Sequence, residues 1–354
     1  MRLALPENGC GLGDSRLLVP PFQPHPWLRG GHSQTIVGRY LGGSRLRLIG
    51  SPREIALPDG DRLVIRESVP TGWEPPRPTA LLVHGLAGSA DASYLVRVGH
   101  RLFNLGIRVV RVNLRGAGEG FGLARGIYHA GRSDDLRAVV NDLEAKNPGS
   151  PVALIGFSLG ANLVLKLAAE ASDAPLRGLD CVLAANPPID LAGCARLMLR
   201  SENRFYDWNF VRWLRWTVIQ LHKRFPDLGP PRLEGVKTLY DFDDRYTAPR
   251  NGFGSADVYY ERCSLMNALA QIQVPGLIIH AMDDPFVSHE PLREAQRPAH
   301  LEVELVTNGG HLGYLSRHPW DGDRRWLDAR LTVWLKAHWG SVAWLSRGAR
   351  IVRQ

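Results

Sequence analysis

A run of short apolar segments, spaced by helical stretches, constrains this chain more than any other feature. T-A-L-L-V-H (79–84) is continuous and apolar, as expected of a strand buried on both faces. I-R-V-V-R-V-N (107–113), P-V-A-L-I-G (151–156), D-C-V-L-A-A-N (180–186), P-G-L-I-I-H-A (275–281) and L-E-V-E-L-V (301–306) read as further strands. Helical stretches fall near 92–105, with Gly106 placed as a C-cap, and at 134–146, closed by Asn147-Pro148-Gly149. Others follow at 160–171, 290–297 and 323–339. Strands alternating with helices predict an α/β fold, a mostly parallel doubly wound sheet with helices on both faces. Upstream, R-E-I-A-L-P-D-G-D-R-L-V-I-R-E-S-V (53–69) reads as two strands about the turn Asp59-Gly60, an antiparallel edge to that sheet.

The rhythm divides the chain. Residues 1–50 are irregular and rich in Pro, Gly and Arg, and are expected to pack on the core as an N-terminal extension. Residues 51–189 and 271–345 form the core. Residues 190–270 break the rhythm; they are helical and rich in Trp and Arg, and read as a cap over the carboxyl edge of the sheet, where ligands of open α/β sheets bind. Within D-W-N-F-V-R-W-L-R-W-T-V-I-Q-L-H-K-R-F (207–225), Arg212, Arg215, His222 and Lys223 fall near one stripe. Trp208, Phe210, Val211, Leu214, Val218 and Leu221 fill the rest. Packing on the core is the plain expectation, and a basic, Trp-rich face could also touch a membrane surface.

At 354 residues and 44% hydrophobic content, the chain can bury one large core, or one core and a cap. A charged fraction of 22% fits a folded globular protein. The net charge of +8 comes from scattered arginines, which argues against nucleic acid as a partner. The four cysteines, Cys10, Cys181, Cys194 and Cys263, show no C-x-x-C spacing, so neither a zinc site nor a redox dithiol is expected. The N-terminal stretch breaks at Pro6 and Gly9 before an apolar run can form. It reads as neither signal peptide nor membrane span, and the default expectation is a cytoplasmic protein.

G-F-S-L-G (156–160) matches G-x-S-x-G. Alone the motif is weak. Here it follows a buried strand and opens a helix, as a nucleophile elbow requires, and marks Ser158 as a catalytic nucleophile. Flanking side chains would clash in so tight a turn, hence the glycines. A serine hydroxyl needs a base beside it. N-G-G-H-L-G-Y (308–314) follows the last expected strand and offers His311; His318, beside Pro319 at the expected start of the last helix, is the second choice. H-A-M-D-D-P-F-V (280–287) supplies the acid that fixes the imidazole: Asp284, before proline, is preferred, with Asp283 as the alternative. The oxyanion needs two backbone donors, expected from the amides of Leu159 and of Leu86 in H-G-L-A-G (84–88). His84, Gly85 and Phe157, which flank these donors, are expected to line the substrate site.

Four further segments stand out: G-H-S-Q-T (31–35) within P-P-F-Q-P-H-P-W-L-R-G-G-H-S-Q-T-I, N-L-R-G (113–116), I-Y-H-A-G-R-S-D-D-L (127–136) and D-D-P-F (283–286). On these the chain resembles the YheT-like branch of the α/β-hydrolases, of the ABHD1 and ABHD3 type. The resemblance spans most of residues 20–340. It implies an α/β-hydrolase fold, charge-relay roles for Ser158, Asp284 and His311, and carboxylic ester hydrolysis, with lipid-like esters among the substrates. Eukaryotic members carry an N-terminal membrane anchor. This chain shows no such run, so membrane residence is not implied. Arg115 and Gly116 are expected to shape a turn, His129 and His32 to pack near the site, and Asp134 and Asp135 to sit at a helix N-terminus, where carboxylates meet the positive dipole end.

The expected chemistry is acyl-enzyme hydrolysis without a metal or organic cofactor. Acyl transfer by the same triad is the nearest alternative, and a non-catalytic lipid-binding relative the more distant one. Dehalogenase and epoxide hydrolase chemistry is disfavoured, because those enzymes place Asp at the elbow.

Overall fold

In the computed structural model, described over residues 19–40 and 46–340, the apolar runs become the strands of one sheet. Its strands are β1 (Ser51–Ala56), β2 (Arg62–Ser68), β3 (Thr79–Val83), β4 (Arg108–Asn113), β5 (Val152–Phe157), β6 (Leu179–Ala185), β7 (Gly276–Ala281) and β8 (Leu301–Val306). Their spatial order is β1-β2-β4-β3-β5-β6-β7-β8. β1 and β2 form the antiparallel hairpin about Gly60, and β2 joins β4 antiparallel; every other pairing is parallel. β3, β4, β5 and β7 are buried along their whole length, which is why they read as apolar runs.

The helices α1 (Gly31–Tyr40), α2 (Ser93–Asn104), α3 (Ser133–Lys146) and α4 (Leu159–Glu170) precede β6 or adjoin it in sequence. Between β6 and β7 come α5 (Leu191–Met198), α6 (Arg204–Arg224), α7 (Leu239–Phe242), a π turn at Asp243–Thr247, α8 (Ala248–Arg250) and α9 (Ala256–Cys263). No strand falls in that interval. α10 (Glu290–Glu294) links β7 to β8, and α11 (Trp326–Gly340) closes the described fold. Two apolar clusters cover the two faces of the sheet. One joins α3 and α4, through residues such as Leu136, Val140 and Leu163, to Leu81, Val110 and Leu154. The other joins α2 and α11, through Leu95, Leu102 and Leu331, to Leu82, Val109 and Ile155. Alternate residues of one strand thus serve opposite layers.

Four local expectations change. The stretch read as irregular contains α1, whose sequence G-H-S-Q-T-I-V-G-R-Y has little intrinsic helix preference. Tertiary bonds hold it: Gln34 Nε2 donates to the carbonyls of Leu28 and Leu315, and Gln34 Oε1 accepts from the Leu315 amide. Second, His318 is not at a helix start. It lies on β9 (Leu315–Trp320), which pairs antiparallel with β10 (Asp323–Arg325) through a turn with positive φ at Asp321 and Gly322. Third, the exposed face of α6 differs from the expected stripe. His222 is buried, with its ring nitrogens on the Gly229 carbonyl and the Tyr246 hydroxyl, and Arg215 bonds the carbonyls of Leu233 and Val236. Trp208 faces outward instead. Fourth, Asp135 is a buried partner of Arg115, bonded at 2.8 Å through both oxygens, rather than a simple dipole group; Asp134 is the exposed one. The same Arg115 also bonds Asp61 at 2.6 Å, tying α3 to the hairpin side of the sheet.

Of the expected extension, residues 1–18 and 41–45 lie outside the described residues, as do residues 341–345 of the expected core and Cys10.

Candidate active site

The parallel register brings four strand ends into one line. Ser158 follows β5, Asn186 follows β6, Asp284 lies three residues beyond β7 and His311 five beyond β8. Strand-like bonds continue past the strand ends: the Ser158 amide donates to Ala185, the Asn186 amide to Ile279 and the Met282 amide to Val306. The sheet's carboxyl edge therefore fixes where each loop departs.

Ser158 sits at φ 54° and ψ −123°, outside the regions an L-residue favours. The glycines of the motif make that turn feasible. A Cβ at Gly156 would lie 2.3 Å from the Gly160 carbonyl oxygen, and one at Gly160 would lie 2.4 Å from that of Val83. The turn aims Oγ at His311 Nε2, 2.9 Å away. On its other side, His311 Nδ1 donates to Asp284 Oδ2 at 2.7 Å. The geometry thus selects Asp284 over Asp283 as the carboxylate on the imidazole. Asp283 does a different job: its Oδ1 accepts the Gly310 amide at 2.8 Å and shapes the histidine loop.

Asp284 is fully buried at its side chain. Burial alone would raise its pKa; the charge and hydrogen bond of His311, with further help from the Phe286 amide, outweigh this and hold it below the usual carboxylate value. The Phe286 and Val287 amides both donate to Oδ1. Asn186, at φ 49°, donates through Nδ2 to Asp284 Oδ2 at 2.6 Å, while its Oδ1 accepts the Tyr314 hydroxyl at 2.7 Å. Asn186 and Tyr314 escaped the sequence reading. The available signal was an Asn directly after a buried strand, a residue type that tolerates positive φ.

The segment G-H-S-Q-T buttresses the same loop. Thr35 Oγ1 accepts the His311 amide at 2.8 Å and donates to the Gly31 carbonyl at 2.7 Å. A Cβ at Gly31 would lie 1.8 Å from the Asp283 carbonyl oxygen, so α1 approaches the acid loop as closely as backbone allows.

Leu86 and Leu159 line the cavity beside Ser158 and His311. Their neighbours on the first loop are fully engaged: the Gly85 amide donates to the Tyr94 hydroxyl and the Ala87 amide to the Tyr128 hydroxyl. Among the described residues the Leu86 and Leu159 amides have no such acceptor. Leu159 N–H also belongs to the free first turn of α4.

His84 and Phe157 do not reach the cavity. Both are completely buried. His84 donates from Nδ1 to the Gly85 carbonyl and accepts the Leu114 amide at Nε2, and burial pushes its pKa down to about 4. A neutral ring suits both bonds. Phe157 packs on Tyr94 with ring centroids 4.8 Å apart. Gly85 supports the site from behind, since a Cβ there would lie 2.9 Å from Ser158 Cβ. His32 stacks on Tyr206, and Tyr206 packs on Phe286, which lies against the His311 ring. His129 lines the cavity.

The cavity offers about 120 Å³ to the centres of water-sized spheres. The sheet edge supplies one wall; the α5–α9 interval supplies the other through Leu191, Met198, Leu214 and Phe242. The lining is mostly apolar. Among the described residues one group could hold a metal ion, Asp180, Cys181 and His338. It lies at the amino end of β6, away from Ser158, and Asp180 Oδ2 already accepts from His338 Nε2 and Trp339 Nε1.

The sheet order, the strained serine after β5 and the late histidine define a hydrolase of the α/β class. Residues 80–322 match the alpha/beta hydrolase family, and the chain belongs to it. Within the family it falls in the YheT- and ABHD3-like branch. It is 31% identical to the Escherichia coli protein YheT over 319 residues, 87% of this chain and 90% of YheT. It is 27% identical to the monoacylglycerol lipase of Saccharomyces cerevisiae, covering 73% of this chain and 59% of the lipase. It is 31% identical to phospholipase ABHD3 of Mus musculus, covering 68% and 59%. An esterase of Pyrococcus furiosus shares the fold at 17% identity, with a TM-score of 0.55 over 89% of this chain and 97% of that one.

Proposed function

We propose that the protein hydrolyses carboxylic esters through an acyl-enzyme at Ser158. The observation that carries this reading is the unbroken path Asp284 Oδ2–His311–Ser158 Oγ, at 2.7 and 2.9 Å, opening on an apolar cavity. The relatives named as lipase and phospholipase act in the same direction. His311 Nε2 takes the Oγ proton as Oγ attacks the ester carbonyl. The Leu86 and Leu159 amides hold the resulting oxyanion, each worth about 3 kcal/mol in comparable sites. Nε2–H then protonates the leaving alcohol and the C–O bond breaks. Water, deprotonated by Nε2, attacks the acyl-enzyme, and Oγ leaves with the proton. Asp284, ionised because its pKa is held low, stabilises the imidazolium at each step. The apolar lining suits medium-chain or lipid-like acyl groups. Residues 190–270 serve as the cap that shapes this cavity, over the core of 51–189 and the described part, 271–340, of the expected 271–345.

Fluorophosphonate labelling and p-nitrophenyl ester turnover test the reading. Both are expected in the wild-type protein and absent from Ser158→Ala. Equal labelling and turnover in the two would refute it, and a wild type without either is the non-catalytic relative. Ester exchange outrunning hydrolysis in added alcohol would make it an acyltransferase.

The outer face of α6 supports a lipid surface as a partner. Phe205, Trp208, Arg212, Trp216, Ile219 and Lys223 follow at intervals of three or four and are all exposed, the two tryptophans by more than half. Arg212 lies over the Trp208 ring. An aromatic stripe with interleaved cations, free of acidic side chains, complements anionic headgroups. None of the described helices is long and apolar enough to cross a membrane. Co-sedimentation with phosphatidylserine vesicles is expected, reduced at least about tenfold by Trp208→Ala with Trp216→Ala and unchanged in ester turnover. Equal binding to neutral vesicles, or none, removes this reading; self-association lost in the same variant would assign the face to a second copy.

A further inference from the structure

One polar cluster in the cavity takes no part in the chemistry above. The π turn Asp243–Thr247 places Asp243 and Thr247 together on the helical wall, and Tyr260 joins them from α9. Single π turns inside helices recur at functional sites, because the extra residue redirects side chains. The Tyr260 hydroxyl donates to Asp243 Oδ2 at 2.9 Å, and the Thr247 hydroxyl also bonds the carboxyl. A carboxylate offers about four acceptor positions, so the two hydroxyls leave capacity unused. The groups that act on it among the described residues are these two hydroxyls, with no lysine, arginine or histidine paired to it. Burial pushes its pKa up to about 6, against the two hydroxyl bonds.

An unpaired carboxyl on an apolar wall is costly. A neutral amide could accept the same two hydroxyls at less cost, so wall structure alone does not account for an acid here. The neighbouring Tyr259, Tyr260 and Phe242 rings leave the cavity around it aromatic, a setting that tolerates a cation. We propose that Asp243 is a substrate-selecting subsite that accepts a hydrogen bond from a donor group, a hydroxyl or a protonated amine, on the chain occupying the cavity. The preferred ester then has an apolar segment next to the scissile carbonyl and a donor further along. This rests on the esterase reading and narrows its substrate class.

The test compares p-nitrophenyl esters of plain, ω-hydroxy and ω-amino fatty acids of four to ten carbons. The wild type is expected to show a donor-to-plain ratio of kcat/KM that peaks at one chain length. Asp243→Asn should flatten the peak about tenfold or more, with plain esters little changed. The hydroxy and amino series separate a neutral donor from a cation. A ratio without a peak in the wild type overturns the subsite, as does a peak that survives Asp243→Asn. Equal losses on every ester would reduce Asp243 to a structural role. Calorimetric binding of 1-hexanol, 1,6-hexanediol and 6-amino-1-hexanol to Ser158→Ala reads the subsite without turnover. Donor-bearing ligands should bind more tightly, and equal binding overturns the proposal even if no ester is cleaved. Turnover lost altogether, with this binding preference intact, would count against the esterase reading alone.

Discussion

The two walls of the cavity are built by different means. On the sheet side the acid and the histidine loop are each held by several bonds. Asp284 accepts from His311, Asn186 and two backbone amides, and the histidine loop is pinned by Asp283 and Thr35. On the helical side most of the wall is side-chain packing, as in the cluster of Val211, Leu214, Leu221, Phe242 and Tyr246. Reacting atoms need placement within fractions of an ångström, which multiple short bonds to a rigid sheet supply. Selection of a chain by shape tolerates looser walls. Changes to the sheet wall should therefore destroy turnover, while changes to the helical wall should redistribute it among substrates.

The largest effects fall on the relay itself. His311→Ala is expected to lower kcat on short p-nitrophenyl esters by about 10⁴–10⁶, with cooperative unfolding retained. A loss of less than about tenfold would show that the chemistry does not pass through this imidazole.

Next comes the buttress, which extends the sheet wall into a segment remote in sequence. Gly31→Ala places a methyl 1.8 Å from the Asp283 carbonyl, so α1 or the acid loop must move. Because Thr35 on α1 holds the His311 amide, kcat should fall about 100-fold, the scale of an ångström of misplacement. Unchanged labelling by a fluorophosphonate would separate α1 from the site.

Asn186→Ala should be milder, about 10- to 100-fold in kcat with KM nearly constant, since it strips one charged hydrogen bond from Asp284 and leaves the Tyr314 hydroxyl unpaired. A change confined to KM would place Asn186 in substrate binding instead.

The same contrast explains what could be read from the chain. Strands β3 to β7 were legible because burial on both faces leaves a local apolar signature, and the elbow because steric need fixes glycines at set positions. The acid was narrowed to Asp283 or Asp284, but which carboxylate reaches the imidazole depends on loop path. α1 was illegible, as its stability comes from Gln34 and Leu315, 281 residues apart. The β9–β10 hairpin carried a usable sign, Asp321-Gly322, the same dipeptide that marks the first hairpin; Pro319 and the short β10 obscured it. His84 and Phe157 flank the donors in sequence but are buried behind them, His84 held by the Gly85 carbonyl and the Leu114 amide and Phe157 packed on Tyr94. The helical wall gave the least, since its side-chain partners come from helices joined by irregular connections.

The smallest expected effect tests the helical wall through stability. The folded-state pKa of Asp243, about 6, lies above the ordinary value near 3.9, so the native protein binds this proton more tightly than the unfolded chain. Its contribution is favourable at low pH and is lost as pH rises through about 4 to 6. The groups facing it do not compete in that window: burial raises Tyr259 and Tyr260, and it lowers His129, on the same cavity, to about 3. Relative to Asp243→Asn, the wild type should gain about 1–2 °C in thermal midpoint between pH 7 and pH 5, the shift of about 1 kcal/mol in a chain of this size. Above pH 7 the variant should be as stable as the wild type or more so, the pattern of a residue kept for selection rather than for the fold. A wild type that loses ground to the variant on acidification would mean the carboxyl is stabilised as an anion. The helical wall would then hold its polar group as firmly as the sheet wall does.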